Sequence, residues 1–387
     1  MLIYILFLFC ICLFIFILVD WYVAIRAWSR RIHIGRWTDR QTWEDSLLKI
    51  TRKWIKHAPT VKLTDNNHYI LWDILRKKYR VATIQSWQDA GLILGLCAAE
   101  QKEPVIQYIQ TKLNPNGQWL KSPRHIDAAL LAYALLKFSS EDKQTLQKIR
   151  PAMDEIYKLI LSHQEGDTVA YRKHVFKVRY VDTLGLICPF LISYGHLYEN
   201  EESIRLAIRQ IKEYDVALLP IIGFPCHAFD MEHSLPRGIY DWGRGIGWYI
   251  LALVECKRSL LRVKDFKCDF DFDQRIIRLS SQLLDFQNVH GGFGAMIFDK
   301  QAYPESSITV LAGLLFHEAY LLTRQSSYRQ AIEKVEKSLM KVTQRNGCID
   351  YCQGDTKGIG FYSHTFTYMP FVQGLALVLV NRINKEQ

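Results

Sequence analysis

From about residue 40 to the C-terminus, apolar side chains recur three and four positions apart, the spacing that lines one face of an α-helix. The pattern predicts helices over Trp43–His57, Ala90–Glu100, Asp127–Phe138, Met153–His163, Thr183–Tyr198, Gly247–Leu261, Gln274–Gln287, Ser306–Leu322, Tyr328–Thr343 and Phe366–Val380. Alternation with a period of two, the mark of a half-buried strand, is scarce. Short stretches with glycine beside an aromatic or a turn former separate the helical segments: "NPNGQW" at 114–119, "IGFPCHAFD" at 222–230, "NVHGGFG" at 288–294 and "RNGCIDY" at 345–351. They return every helical hairpin or two, which suggests a degenerate αα-hairpin repeat. About a dozen helices in sequential hairpins, without coiled-coil heptads, can close into an inner and an outer ring or extend as an open solenoid. Tryptophan and tyrosine in the connections favour the ring, because a closed α/α barrel collects its loops around one pocket, where aromatic rings give platforms for sugar faces. An isoprenoid-type cyclase or prenyltransferase would want an acidic Mg²⁺ cluster or a zinc set, and neither is written in the chain.

The first forty residues follow a different pattern. Leu2 to Val19 is an unbroken apolar run, and Asp20 is the only charged side chain before Arg26. That length suits one bilayer span. A cleaved signal peptide would carry a basic start, a shorter apolar core and a small-residue cleavage site, for which Ala24 and Ala27 are poor candidates. The expectation is an uncleaved transmembrane anchor over 1–25 with Trp21 and Tyr22 at the interface. A basic juxtamembrane segment over 26–40 and one barrel domain over 41–387 would follow. Arg26, Arg30, Arg31, Arg36 and Arg40 come after the span and only the terminal amine precedes it, so the positive-inside rule puts the barrel in the cytoplasm. The cysteines agree with that side. Of nine, Cys10 and Cys12 lie in the span, and the others form no CxxC pair, which reads as free buried thiols. Cys348 and Cys352 have no evident partners for a metal site.

With 49% hydrophobic and 13% aromatic residues in 387, the chain can bury a large core, and disorder is excluded. The formal charge of +10 invites a nucleic-acid reading. The lysines and arginines are dispersed, however, with no arginine-rich tract, zinc-finger spacing or RNA-recognition signature, so a membrane surface or an anionic substrate accounts for the charge more simply.

Three places could carry chemistry. Asp127 in "SPRHIDAALLAYALLKF" and Asp182 in "VRYVDTLGLICPFLISYG" stand where apolar helices begin. Each could be an N-cap, or a functional carboxylate among Arg124, His125, Arg179 and Tyr180. "CHAFDMEH" supplies His227 and Asp230 with Cys226 and His233 nearby; the spacing matches no metal-ligand pattern, and hydrogen bonding to sugar hydroxyls fits better. In "YDWGRGIGWYILAL", Gly243, Gly245 and Gly247 predict a tight loop, since glycine costs roughly 1 kcal/mol inside a helix. The stretch is neither GxGxxG nor a P-loop. Arg244 within it could face a pocket and fork onto a carboxylate, with Trp248 opening the next helix, or could lie on solvent.

The ordered succession of these segments resembles the unsaturated glycuronyl hydrolases, glycoside hydrolase families 88 and 105, and above all the unsaturated rhamnogalacturonyl hydrolases of the latter. "VDTLGLICPFLISYG" is similar to the family's Asp-Thr-Leu segment leading to Pro-Phe-Leu. "IGFPCHAFD" is similar to its Gly-x-x-x-His-x-x-Asp loop, and "WGRGIGWYILAL" to its Trp-Gly-Arg-Gly-Asn-Gly-Trp helix start. Looser matches are "WQDAGLILGL" from Trp87, "HIDAALLAYALL", "GGFGAMIFDKQAYPESSITVLAGLLF" and "MPFVQGLALVL". The resemblance implies an all-α, six-hairpin (α/α)6 barrel that needs no metal or cofactor. It also implies removal of a 4,5-unsaturated uronic acid from an acidic oligosaccharide or polysaccharide. By position, Asp182 would be the catalytic acid and base and Asp127 its supporting carboxylate, with His227, Asp230, Arg244, Trp248 and Trp87 binding substrate. One departure stands out: Ile246 occupies the place where the family usually has asparagine, which would take a polar group away from the substrate. The anchor suggests a role in surface-polysaccharide metabolism. A silent barrel that binds or scaffolds glycans, or another α/α-barrel sugar enzyme such as an epimerase or an ordinary glycosidase, remains the alternative.

Overall fold

The computed structural model describes residues 1–59, 61, 64–66, 68–76, 85–299 and 301–386. Its helices are α1 (Leu2–Arg31), α2 (Arg40–Lys56), α3 (Ile70–Leu75), α4 (Gln85–Ala98), α5 (Lys102–Lys112), α6 (Ala128–Ser139) and α7 (Lys143–Leu161). They continue with α8 (Val181–Leu197), α9 (Glu201–Glu213), α10 (Gly243–Leu260), α11 (Phe272–Leu284), α12 (Ser306–Thr323), α13 (Ser326–Lys341) and α14 (Pro370–Asn384). Six helices form an inner ring in which each touches the next: α4 packs on α6, α6 on α8, α8 on α10, α10 on α12, α12 on α14, and α14 returns to α4. Outside lie α2, α5, α7, α9, α11 and α13. The chain is a closed (α/α)6 barrel, as the hairpin pattern predicts.

Polarity sorts the two layers. The inner helices are buried almost all round, as in the Ala128–Leu136 run of α6 and the Leu184–Tyr194 run of α8. Outer helices are amphipathic: α9 buries Ile204, Leu206, Ala207, Ile208 and Ile211 and exposes Glu201, Glu202, Arg205 and Lys212. Side-chain caps start several of them, with Asp142 on α7, Asn200 on α9 and Asp271 on α11 accepting first-turn amide protons. The periodic segments of the sequence correspond to elements of both layers; α3, α5 and α9 are additional.

Glycine closes the ring. A Cβ on Gly374 of α14 would stand 1.8 Å from the carbonyl oxygen of Gly91 on α4, and one on Gly95 would stand 2.5 Å from the carbonyl oxygen of Gly374. The two helices therefore meet backbone to backbone. Gly243, Gly245 and Gly247 have the same kind of reason. They form the first turns of α10, where the sequence suggests a loop, because Cβ atoms there would reach within 2.9 Å of the Gly294 carbonyl oxygen, 2.6 Å of the Trp242 ring and 2.7 Å of Leu311. Close packing outweighs their low helix propensity.

At the C-terminal ends of the inner helices an ionic cluster crosses the barrel. Glu255 of α10 accepts from Tyr133, from Lys137 at 2.8 Å and from Arg382, while Glu318 of α12 pairs with Arg258 and stands 3.7 Å from Arg382. Burial alone would raise the Glu255 carboxyl, but Lys137 and Arg382 hold it well below the usual range. This end is sealed by paired charges, and the opposite end is open.

On an exposed helix, glycine to alanine stabilises by about 1 kcal/mol. Gly374→Ala should instead destabilise by at least ~3 kcal/mol, because the added methyl has only backbone to displace. Chemical denaturation of the parent and the variant reads the sign directly.

Candidate active site

The N-termini of the inner helices converge on the open end. Trp87 comes from the first turn of α4, Asp127 from the start of α6, Asp182 from the first turn of α8, and Arg244 and Trp248 from the first turns of α10. Glu305 caps α12, and Phe371, which opens α14, packs against both Trp87 and Trp248. Helix N-termini carry partial positive charge, so this end favours an anionic ligand. A cavity of about 270 Å³ lies there, lined by Trp87, Tyr171, Arg172, His174, Tyr180, Asp182, Leu186, His227, Trp242, Arg244, Trp248 and residues 355–358.

The carboxylates are not helix caps. Neither Asp127 nor Asp182 accepts a capping hydrogen bond. Asp127 is 1% exposed, and both its oxygens lack a hydrogen-bond partner. The Asp182 side chain is 18% exposed at the cavity wall, with Oδ2 unpartnered and 3.7 Å from Nε2 of His227. Burial pushes the Asp182 carboxyl up to about 7, and the negative charges of Asp127 and Asp355 add to the effect, against Arg244. Burial also raises Asp127, opposed by Arg172, and lowers the His227 imidazole to about 4, so His227 is neutral. The site thus holds a carboxylic acid poised to give and take a proton near neutral pH beside an uncharged imidazole.

A small sheet positions His227. Strands 178–180, 228–230 and 235–237 pair antiparallel, with Tyr180 opposite Ala228 and Val178 opposite Asp230. The His227 carbonyl accepts the Val181 amide at 3.0 Å, which ties the imidazole to the start of α8 and hence to Asp182. Trp242 and Tyr362 pack against the ring, and the Tyr362 hydroxyl lies 3.2 Å from Nδ1.

Two expected substrate ligands have partners within the protein. Asp230 is buried and does not line the cavity. Its carboxylate takes the Arg237 guanidinium, His233 at 3.2 Å and the amides of Glu232 and His233. Although burial pushes this carboxyl up, His233 and Arg237 hold it at about 2. It braces the strand pair that carries His227. Arg244 is 3% exposed, so it is not a solvent arginine, and it reaches the cavity wall. Its guanidinium donates to the carbonyl of Gln353 and, at 3.1 Å, to that of Gly354, and stands 3.8 Å from Glu305. Arg244 therefore holds the loop that brings Asp355, Thr356 and Lys357 to the cavity. Ile246 is wholly buried in the core and lines no part of the cavity, so the departure there leaves the wall intact. Trp87 and Trp248 sit edge to face in the wall, and the Trp248 Nε1 proton has no partner.

Sequence reasoning did not single out Tyr171, Arg172, His174, Asp355 or Lys357. The only trace is local: "YRKH" mixes basic and aromatic residues just before a strand, and "QGDTKG" is turn-rich.

Comparison with known proteins bears on this arrangement. The family model for Glycosyl Hydrolase Family 88 matches residues 46–385. The chain belongs to glycosyl hydrolase family 88. No curated protein matches it. Among solved structures, a possible member of the GH105 family from Salmonella enterica superposes with a TM-score of 0.71 at 16% identity, over 89% of this chain and 94% of that one. A family 88 glycosyl hydrolase from Bacteroides vulgatus gives 0.65 at 18% identity, over 89% and 99%. An unsaturated glucuronyl hydrolase from Bacillus sp. GL1, described as responsible for the degradation of glycosaminoglycan, gives 0.63 at 14% identity, over 88% and 96%. The barrel is the one these glycoside hydrolases share, and this family 88 protein is a glycoside hydrolase.

If Arg244 holds the 353–358 loop, Arg244→Ala leaves two carbonyls and the Glu305 carboxylate without their cation, a loss of about 3–5 kcal/mol. Hydrogen exchange followed by mass spectrometry should show peptides covering 353–358 exchanging faster, with those of α6 unchanged.

Proposed function

We propose that this family 88 enzyme removes a 4,5-unsaturated uronic acid from the end of an acidic glycan by hydrating the double bond, with Asp182 as the acid and base. The observation that carries the reading is the pair of buried carboxylates, Asp127 with neither oxygen partnered and Asp182 with Oδ2 unpartnered, and the rise of Asp182 to about 7 at the wall of the cavity. A 4,5-unsaturated uronide is an enol ether. Asp182 gives its proton to C4, and the positive charge is shared between C5 and the ring oxygen. Water adds at C5 and returns a proton to Asp182; the resulting hemiketal opens and releases the rest of the glycan. One carboxyl group serves both steps, unlike the two opposed carboxylates of ordinary glycosidases. Burial, with the charge of Asp127 adding to it, keeps Asp182 protonated, and neutral His227, 3.7 Å from Asp182, can orient the water. Arg172 and Lys357 suit the substrate carboxylate, and Trp87 and Trp248 suit a sugar face. The activity in the name of the Bacillus protein supports the same reading.

Helix α1 is long and apolar enough to cross a membrane, and none of its residues is buried. We infer that it anchors the enzyme with the barrel in the cytoplasm, on the strength of the five arginines that follow the span. External protease should then leave a C-terminal tag intact in whole cells; cleavage would reverse the orientation.

As proton donor, Asp182 is active below its own pKa and loses function as pH rises through about 7. The kcat/KM for an unsaturated disaccharide, followed by the ultraviolet absorbance of the double bond, should be level at lower pH and fall above about 7. Asp127→Asn removes a charge that raises Asp182, so it should move that fall to lower pH. Asp182→Asn should lose at least ~10²-fold in turnover while keeping the parental melting temperature. Parental turnover by Asp182→Asn would end the assignment, and a parent inactive on every unsaturated uronide would favour a glycan-binding barrel.

A further inference from the structure

We propose that α3 is a second membrane contact, which seats the barrel with its cavity end toward the bilayer, so that the enzyme meets a glycan held at the membrane surface. The inference rests on reading α1 as an anchor. It comes from where α1 is tied and what lies beside it.

Three ties join the anchor region to the cavity end. Arg31, at the end of α1, forks onto the buried Asp350 carboxylate at 2.7 and 2.9 Å and donates to the Phe366 carbonyl at 2.6 Å. Asp350 and Phe366 lie in the segment between α13 and α14, the same segment that sends residues 355–358 to the cavity wall. Asp65, just before α3, accepts from Ser363 and, at 3.3 Å, from Thr365 of that segment. Asp20 completes the set: its carboxylate accepts the amides of Tyr69 at 2.7 Å and Ile70 at 2.9 Å, at the start of α3. Asp20 is the first charge after the apolar run, so its depth is where hydrocarbon gives way to headgroups. The start of α3 is therefore held at that depth.

The composition of α3 suits that place. Ile70 and Asp73 are buried, whereas Tyr69, Trp72, Ile74 and Leu75 are exposed, by 68%, 52%, 46% and 62%. The Arg76 guanidinium stands 5.9 Å over the Trp72 ring. Aromatic and aliphatic side chains with a neighbouring arginine are what an interfacial segment presents to lipid, and Trp21 and Tyr22 on α1 are exposed at the same level. A protein partner on this patch would have to share the ground with the bilayer that α1 enters, and the Asp20 tie favours lipid.

The test uses the full chain in nanodiscs whose lipids carry bromine on the upper acyl chain, with unbrominated lipids as reference. The emission of Trp21 and Trp72 is isolated by difference from Trp21→Phe and Trp72→Phe; Leu261→Trp, in the connection after α10 at the sealed end, adds a third reporter. An interfacial segment buries its apolar face roughly 5–10 Å into the headgroup and acyl boundary, so bromine there should lower Trp72 emission about twofold. Quenching of Trp21 and Trp72 without quenching of Leu261→Trp supports the proposal. Quenching of Trp21 alone overturns the α3 contact and leaves the anchor standing. Absence of quenching at both Trp21 and Trp72 overturns the contact and the anchor together. Quenching of Leu261→Trp but not of Trp72 means that the barrel sits the other way up.

Discussion

The contact between α4 and α14, made through Gly91, Gly95 and Gly374, decides whether this chain is a ring or an arc. Six inner helices can enclose a common axis only if the last returns to the first, and here there is no room for a side chain between them. Closure aligns the inner helices with their N-termini at one end, and the consequences follow in order. The partial positive charges of those termini face one cavity. The long connections into the inner helices crowd around it, while the other end is closed by the Glu255, Lys137 and Arg382 cluster.

The same closure makes the site expensive to maintain. The Asp127 carboxylate and one oxygen of Asp182 are drawn into the protein without a hydrogen-bond partner, and an unsatisfied buried polar group costs roughly 1–3 kcal/mol. An N-cap role would have supplied partners, but neither carboxylate makes a capping hydrogen bond. What results is a raised pKa on Asp182 beside a neutral His227, a combination that suits acid–base chemistry and does nothing for stability. Arg244 and Asp230 work one step further out, on the loop of Asp355 and on the strands of His227. Replacing either would reach the chemistry by moving something else.

The N-terminal helix is joined to this same end. Arg31 binds Asp350 in the segment that reaches the cavity wall, and Asp20 binds the start of α3, so α1 and the cavity are linked by hydrogen bonds as well as by chain continuity.

The layered helices, the turn-rich connections and the apolar first helix were legible in the sequence because helical periodicity and turn chemistry are local properties. Asp127, Asp182, His227, Trp87 and Trp248 were legible through motifs whose order resembles a family, and all of them gather at the open end of the barrel. What local pattern could not convey was the partner of each group. The glycines at 243–247 looked like a loop because low helix propensity is visible along the chain, whereas the Gly294 carbonyl, the Trp242 ring and Leu311 that exclude a side chain there are not. For Arg244 and Asp230, a charged residue in a motif does not disclose that a carbonyl a hundred positions away, or an arginine one strand over, also binds it. Asp355 and Lys357 carry no motif at all, and only closure of the ring brings their loop to the cavity. The sequence by itself determined which segments become helices and which carboxylates start them; the tertiary structure alone decided which charges are paired and which are left free to react, because pairing depends on distance in space and the sequence records distance along the chain.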